Sequence, residues 1–241
     1  MRRTRSFVDA PLEAGRLVPL PPESRPHLTK VLRLRTGDEV TLFNGDGYDY
    51  SARLTDAGPN LSAQILARNS ATAAEADVSI TLVQALARGE KMDWIIQKAT
   101  ELGVKRVMPV STQRSEVRLD AERADKRLAH WLKVAKSACE QCGRARIPTI
   151  DAPRPLHAAC DIASDLRVFF DPDSNTRLAG INLHMRTIAI AIGPEGGFDD
   201  QERALLGRAG WQQLRLGARI LRTETAGLAA IAAVLALVGE L

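Results

Sequence analysis

From residue 78 onward, short apolar runs alternate with segments of helical period, and this alternation limits the chain to few architectures. Residues 78–85, 107–110, 167–170, 188–192 and 213–216 read as strands. Residues 92–102 place Trp94, Ile95, Ala99 and Leu102 on one helical face, and 121–141 does the same with Leu128, Leu132, Ala135 and Cys139. Helices at 200–209 and 223–238 complete the pattern. Strand and helix in turn predict an α/β domain with a mostly parallel sheet covered by helices on both faces.

Residues 1–70 carry a different rhythm. Strands are expected at 40–43, 48–54 and 61–66, separated by the turn formers Asn44-Gly-Asp-Gly47 and Ala57-Gly-Pro-Asn60, with a short helix at 27–34 before them. Closely spaced short strands suggest a small β-barrel. The small, polar stretch 69–77 sets a linker at 71–77 between a domain of 1–70 and one of 78–241.

Two of the apolar runs stop at turns able to carry chemistry. Gly193-Pro-Glu-Gly-Gly197 fits neither G-x-x-x-x-G-K-[ST] nor G-x-G-x-x-G, so phosphate-loop and dinucleotide readings fall away. Its glycines let the backbone approach a ligand closely, and Asp199 is placed to cap the next helix. Leu216-Gly-Ala-Arg-Ile-Leu-Arg-Thr-Glu-Thr-Ala226 ends where an apolar helix begins, with Thr223 or Thr225 as N-cap and free N–H groups favouring an anion. Each turn alone is equally an ordinary strand-to-helix connection.

Charge is uneven. Residues 88–146 hold 14 Lys/Arg against 8 Asp/Glu, while 147–241 hold 9 against 11, within a net charge of +4. The basic middle suits a phosphate backbone, or equally a set of solvated helix faces. Three cysteines argue against a disulfide framework, and Cys139-x-x-Cys142 lacks further ligands of matching spacing, so no metal is expected. No apolar run approaches the roughly 20 residues of a membrane span, and no apolar signal core follows the basic Met1-Arg-Arg-Thr-Arg5 start. A cytoplasmic protein without membrane association is the expectation.

Four blocks occur together and in order: Arg88-Gly-Glu-Lys-Met-Asp-Trp-Ile-Ile-Gln-Lys-Ala-Thr-Glu-Leu-Gly103, Ala138-Cys-Glu-Gln-Cys-Gly-Arg144, Ile192-Gly-Pro-Glu-Gly-Gly197 and the 216–226 segment. With the Met1-Arg-x-x-Arg5 start and His27-x-x-x-Val-Leu-Arg33, the chain resembles the bacterial 16S ribosomal RNA uracil-N3 methyltransferases. These are a branch of the SPOUT superfamily. Cys142 departs from the serine frequent in that family.

The resemblance implies an N-terminal PUA-like β-barrel for RNA and a C-terminal α/β domain with a deep trefoil knot, whose loops hold S-adenosyl-L-methionine. Carried onto this chain, Gly193, Pro194, Glu195, Gly196 and Gly197 form one wall. Leu216, Gly217, Ile220, Leu221, Arg222 and Thr223 form the other, with Thr225 and Ala226 behind and Phe170 and Asp171 in a third loop. It further implies a homodimer acting on 16S rRNA within the small ribosomal subunit. Uracil N3 is protonated at neutral pH, so methylation needs a base or stabilisation of the uracil anion. Arg222 and Glu224 are the expected near-reaction residues, although Glu224 equally well pairs with Arg222. Arg2, Arg5, Arg33, Arg88, Lys91, Arg114 and Arg144 are the expected phosphate contacts. The competing readings are a SPOUT enzyme methylating a ribose 2′-hydroxyl and a non-catalytic RNA-binding ribosome-assembly protein.

Overall fold

The computed structural model describes residues 4–56, 60–117, 119–180 and 185–241. The chain divides into two compact units, one made of residues up to 75 together with 139–147, the other of 76–138 and 148–241.

In the first unit, β1 (Arg5–Phe7), β2 (Leu17–Pro19), β3 (Glu39–Phe43), β4 (Tyr48–Asp56) and β5 (Ser62–Ser70) form one sheet in the order β1-β3-β4-β5-β2. Only the β1–β3 pairing is parallel. Register shifts at Ser51/Ala52 and Leu54/Asp56 bend the β4–β5 ladder. The sheet curls around a core of Val18, Leu28, Val40, Leu42, Leu54 and Ile65. The three-residue strands β1 and β2 are too short to show a period, which is why the sequence did not reveal them. The helix expected at 27–34 is a single wide turn, Pro26–Val31, closed by Leu32 N–H donating to the His27 carbonyl at 2.9 Å. It stops at Arg33, whose φ of 56° is left-handed and incompatible with further helix.

Two buried arginines organise this unit. Arg5 Nη1 donates to Asp49 Oδ2 at 2.5 Å, and its Nη2 donates to the Arg144 carbonyl at 3.0 Å. The Thr72 N–H and hydroxyl also donate to Asp49 Oδ2, at 2.9 and 2.6 Å. Arg144 meets Glu75 through both ends of its fork, Nε to Oε1 at 3.1 Å and Nη2 to Oε2 at 2.7 Å. Phe7 N–H donates to Glu140 Oε1 at 2.9 Å. Residues 139–147, which the sequence reading kept inside the second domain, are thus stitched into the first unit by hydrogen bonds.

The second unit contains β6 (Ser79–Ala85), α1 (Lys91–Glu101), β7 (Arg106–Ser111), α2 (Ala121–Cys142), β8 (Thr149–Ile150), β9 (Arg154–Pro155), β10 (Leu166–Phe170), β11 (Thr187–Ile192), α3 (Asp200–Arg208), β12 (Gln212–Leu214) and α4 (Thr223–Leu237). The last turn of α2 belongs to the first unit. The sheet runs β12-β10-β11-β6-β7-β8, with β9 also pairing β7, and every pairing is parallel.

Alternation along the central strands sets the two faces. Val83, Ala189, Ala191 and Phe169 pack with Phe198, Leu206 and Trp211 on the α3 side. Leu82 and Ile192 point the other way, toward Gly227 of α4, which packs against β6, β11 and α1. The strongly apolar α4 sequence suits this position. Among the described residues no helix is long and apolar enough to cross a membrane.

Candidate functional site

Strands β12, β10 and β11 lie side by side and end at Leu214, Phe170 and Ile192. The loops that leave these carboxyl ends enclose a pocket of about 430 Å³. This edge of a parallel sheet is where ligand crevices form, and the volume suits a small organic molecule. Of the residues expected at a site, Phe170, Asp171, Gly193, Pro194, Glu195, Gly197, Leu216, Gly217, Ile220, Leu221, Arg222, Thr223 and Ala226 line it. Gly196, Glu224 and Thr225 are not in the lining. Lys91, Pro172, Ile192, Arg215 and Arg219 are, without having been expected there.

Local chemistry explains each wall. Asp171 starts the loop after β10: its N–H donates to the Leu214 carbonyl at 2.8 Å, and its Oδ1 accepts from Asp173 N–H at 2.9 Å. Its Oδ2 accepts from Arg203 Nη1 at 3.3 Å, so this buried carboxylate is spent on loop architecture. After β11, Gly197 N–H closes a turn on the Pro194 carbonyl at 2.9 Å with φ of 68°. A side chain at Gly193 would put its Cβ 3.1 Å from Phe198 N and 3.3 Å from the Gly197 carbonyl carbon, so glycine permits this close folding. Asp199 caps α3 as expected, in a reciprocal box with Glu202.

The third wall corrects an expectation. Neither Thr223 nor Thr225 caps α4. Arg222 is the N-cap residue, with extended backbone and no side-chain cap, and Thr223 is the first helical residue. Its hydroxyl instead donates to the Gly193 carbonyl at 2.7 Å and accepts from Gln84 Nε2 at 2.9 Å. Among the described residues no side chain caps the N-terminus of α4 next to the pocket, where its dipole favours negative charge.

Nor does Glu224 pair with Arg222. Lys91 Nζ bridges two carboxylates, Glu195 Oε1 at 2.7 Å and Glu224 Oε2 at 3.4 Å. The hydrogen bond to Glu195 raises the Lys91 ammonium above its ordinary pKa, against the opposing effect of burial. Burial alone would raise the Glu195 carboxyl, but the hydrogen bond and charge of Lys91 outweigh it and hold it below the usual value. Lys91 opens α1, where the helix dipole disfavours a cation. The two carboxylates offset that cost and fix the ammonium at the pocket.

The basic residues expected at phosphates separate into several groups. Arg5 and Arg144 are buried and ion-paired with Asp49 and Glu75, so they hold the first unit together and are not exposed phosphate ligands. Lys91 lies in the pocket wall. Arg114 Nη1 donates to the Gly196 carbonyl at 2.8 Å and braces the glycine turn. Arg88 is exposed and paired with Glu116 at 2.7 Å, and Arg33 is exposed. Arg2 lies outside the described residues. Cys139 is buried and its thiol is pushed up to about 12, chiefly by desolvation, which makes it a packing residue. Among the described residues no cluster of three or more His, Cys, Asp or Glu is placed to hold a metal ion.

The RNA methyltransferase domain model matches residues 74–235, and the RNA methyltransferase PUA domain model matches residues 23–65. Ribosomal RNA small subunit methyltransferase E of Buchnera aphidicola subsp. Acyrthosiphon pisum is 31% identical over 98% of this chain and 94% of its own length. The protein of that name from Neisseria gonorrhoeae, solved bound to S-adenosyl methionine, is 39% identical with a TM-score of 0.92, covering 98% of both chains. A putative methyltransferase from Legionella pneumophila, also solved with that molecule, is 33% identical with a TM-score of 0.94 over 98% of both chains.

Proposed function

Since the chain belongs to the RNA methyltransferase family, we propose that it transfers a methyl group from S-adenosyl-L-methionine to N3 of a uridine in the 16S rRNA of the small ribosomal subunit. One observation carries this reading: three loops at adjacent strand ends, two of them the motifs that signalled a ligand in the sequence, enclose a pocket of about 430 Å³. Two solved relatives of more than 30% identity hold S-adenosylmethionine. On this reading, the 78–241 domain is the knotted catalytic domain, working as a homodimer in the cytoplasm, and the 1–70 barrel meets RNA.

The residues present fit that donor. Leu216, Leu221 and Ile220 offer apolar surface for a flat base, and Ile220 is 82% exposed at the pocket. A large aliphatic side chain so exposed gains by being covered. Main-chain groups of the glycine turn and the 216–223 loop offer the donors and acceptors that an adenine edge needs. The uncapped start of α4 suits a carboxylate. The pocket wall carries Glu195 together with Lys91, Arg215, Arg219 and Arg222, so it offers a carboxylate to a cationic centre and cations to a carboxylate.

When bound, the donor supplies an electrophilic methyl group. The chain must then orient the base, exclude water and manage the N3 proton. Arg222 is exposed at the pocket with no ion pair among the described residues, free to stabilise negative charge growing on a uracil oxygen. Glu224, fixed by Lys91, stands beside it in sequence as the near-reaction carboxylate. The target base must leave its stack to reach this site.

The decisive test is transfer of labelled methyl to small ribosomal subunits lacking the modification, with mass spectrometry of the digested RNA. Label on the uracil ring is expected, and label on a ribose would replace this reading with the 2′-hydroxyl one. Gly193→Ala is expected to weaken donor binding roughly tenfold by calorimetry, because the new Cβ must displace backbone of its own turn. Unchanged affinity would show that the turn does not shape the donor site.

A further inference from the structure

Gln84 is a polar residue where the fold asks for an apolar one. It sits on β6 at the centre of the parallel sheet, in register with Ile192 of β11 and Pro109 of β7. Its neighbours Leu82, Val83 and Ala85 are buried, and Gln84 itself is 0% exposed. Strands covered on both faces run apolar, and a leucine or methionine would satisfy packing here. A break in so strong a local rule points to function.

The hydrogen bonds have a fixed direction. A hydroxyl carries one proton, and that of Thr223 goes to the Gly193 carbonyl at 2.7 Å. Its lone pair must therefore receive a donor, which Gln84 Nε2 supplies at 2.9 Å, while the second proton of that amide goes to the Ala85 carbonyl at 3.1 Å. This orientation leaves Gln84 Oε1 buried without a hydrogen-bond partner among the described residues. It faces Gly227, where a Cβ would come within 3.3 Å of it. The protein accepts an unsatisfied acceptor, an unfavourable choice inside a sheet, to keep the amide donating toward Thr223.

We propose that Gln84 is a positioning residue for the methyl-donor pocket, acting through Thr223 on Gly193. This rests on the donor reading above and names the element that sets its geometry. Gly193 begins the turn after β11, and Thr223 begins α4. Gln84 ties both walls to an interior strand of the sheet, paired on both sides by β11 and β7, so their spacing follows the sheet. The arrangement also diverts the Thr223 hydroxyl from capping, which keeps the α4 N-terminus open to the ligand.

Calorimetry with S-adenosylmethionine tests the proposal on the full-length protein. Gln84→Met keeps the volume and removes both donors. It is expected to keep the thermal midpoint and to weaken donor affinity on the order of tenfold, the scale of one lost hydrogen bond. KM for the donor should rise while KM for the ribosomal subunit stays unchanged. Thr223→Val should reproduce the loss and Thr223→Ser should restore binding, because only the hydroxyl is needed. The double variant Gln84→Met/Thr223→Val should bind no worse than the weaker single one, since either change breaks the same relay.

Gln84→Met binding the donor like the wild type, or losses that add in the double variant, would overturn the proposal. If Gln84→Met does not fold, equal binding by Thr223→Val and Thr223→Ser overturns it instead. Wild-type protein that fails to bind S-adenosylmethionine would sink the donor reading itself, an outcome distinct from both.

Discussion

Arg5→Leu is expected to cost about 3–5 kcal/mol, the usual penalty for leaving one member of a buried ion pair alone. The Arg5 and Asp49 side chains are only 3% and 5% exposed and meet at 2.5 Å. The substitution would strand the Asp49 carboxylate with two hydrogen bonds from Thr72 and no cation. Because whole domains are stable by only about 5–15 kcal/mol, the first unit should unfold at much lower urea. Urea denaturation followed by circular dichroism reads this directly. Arg5→Leu/Asp49→Leu should recover much of the loss, since no charge is then left buried. A stable Arg5→Leu protein with selectively weakened RNA binding would reverse the assignment and return Arg5 to the RNA surface.

Arg222→Ala is expected to lower kcat/KM by on the order of 10²–10³, the effect of removing one group that stabilises developing charge. The fold should be unaffected. Arg222 is exposed, its side chain makes no cap to α4, and its extended backbone at ψ of 153° is open to alanine. Thermal midpoint therefore serves as the control, and labelled-methyl transfer at saturating donor is the measurement. Arg222→Lys should retain part of the rate, because a point charge replaces a planar fork. Turnover near the wild-type value would remove Arg222 from the chemistry and leave Lys91, Arg215 and Arg219 as the cations at the pocket.

The α/β rhythm was legible because strands such as β6 and β11 are continuous apolar runs and α1 and α2 carry clear helical stripes. The glycine turn and the 216–226 loop were legible because glycine marks close backbone approach. The roles of individual polar side chains were less so. Arg5 and Arg144 looked like surface charges because nothing local reveals that Asp49 and Glu75 lie opposite them. Lys91 and Gln84 were hidden for the same reason, although each left a trace: a cation opening a helix, and an amide inside an apolar strand. Thr223 was read as a cap from its position, but a partner 30 residues away in sequence competes for the same hydroxyl.

The short return of residues 139–147 into the first unit has a consequence for how this chain comes into being. During synthesis, residues up to 75 emerge as a sheet still missing the carbonyl of Arg144 and the carboxylate of Glu140 that Arg5 and Phe7 require. The N-terminal unit must wait, incomplete, until residues 139–147 have left the ribosome. Excising it at the apparent linker would yield a permanently unfinished piece. The two units are distinct as compact bodies but inseparable as genetic modules.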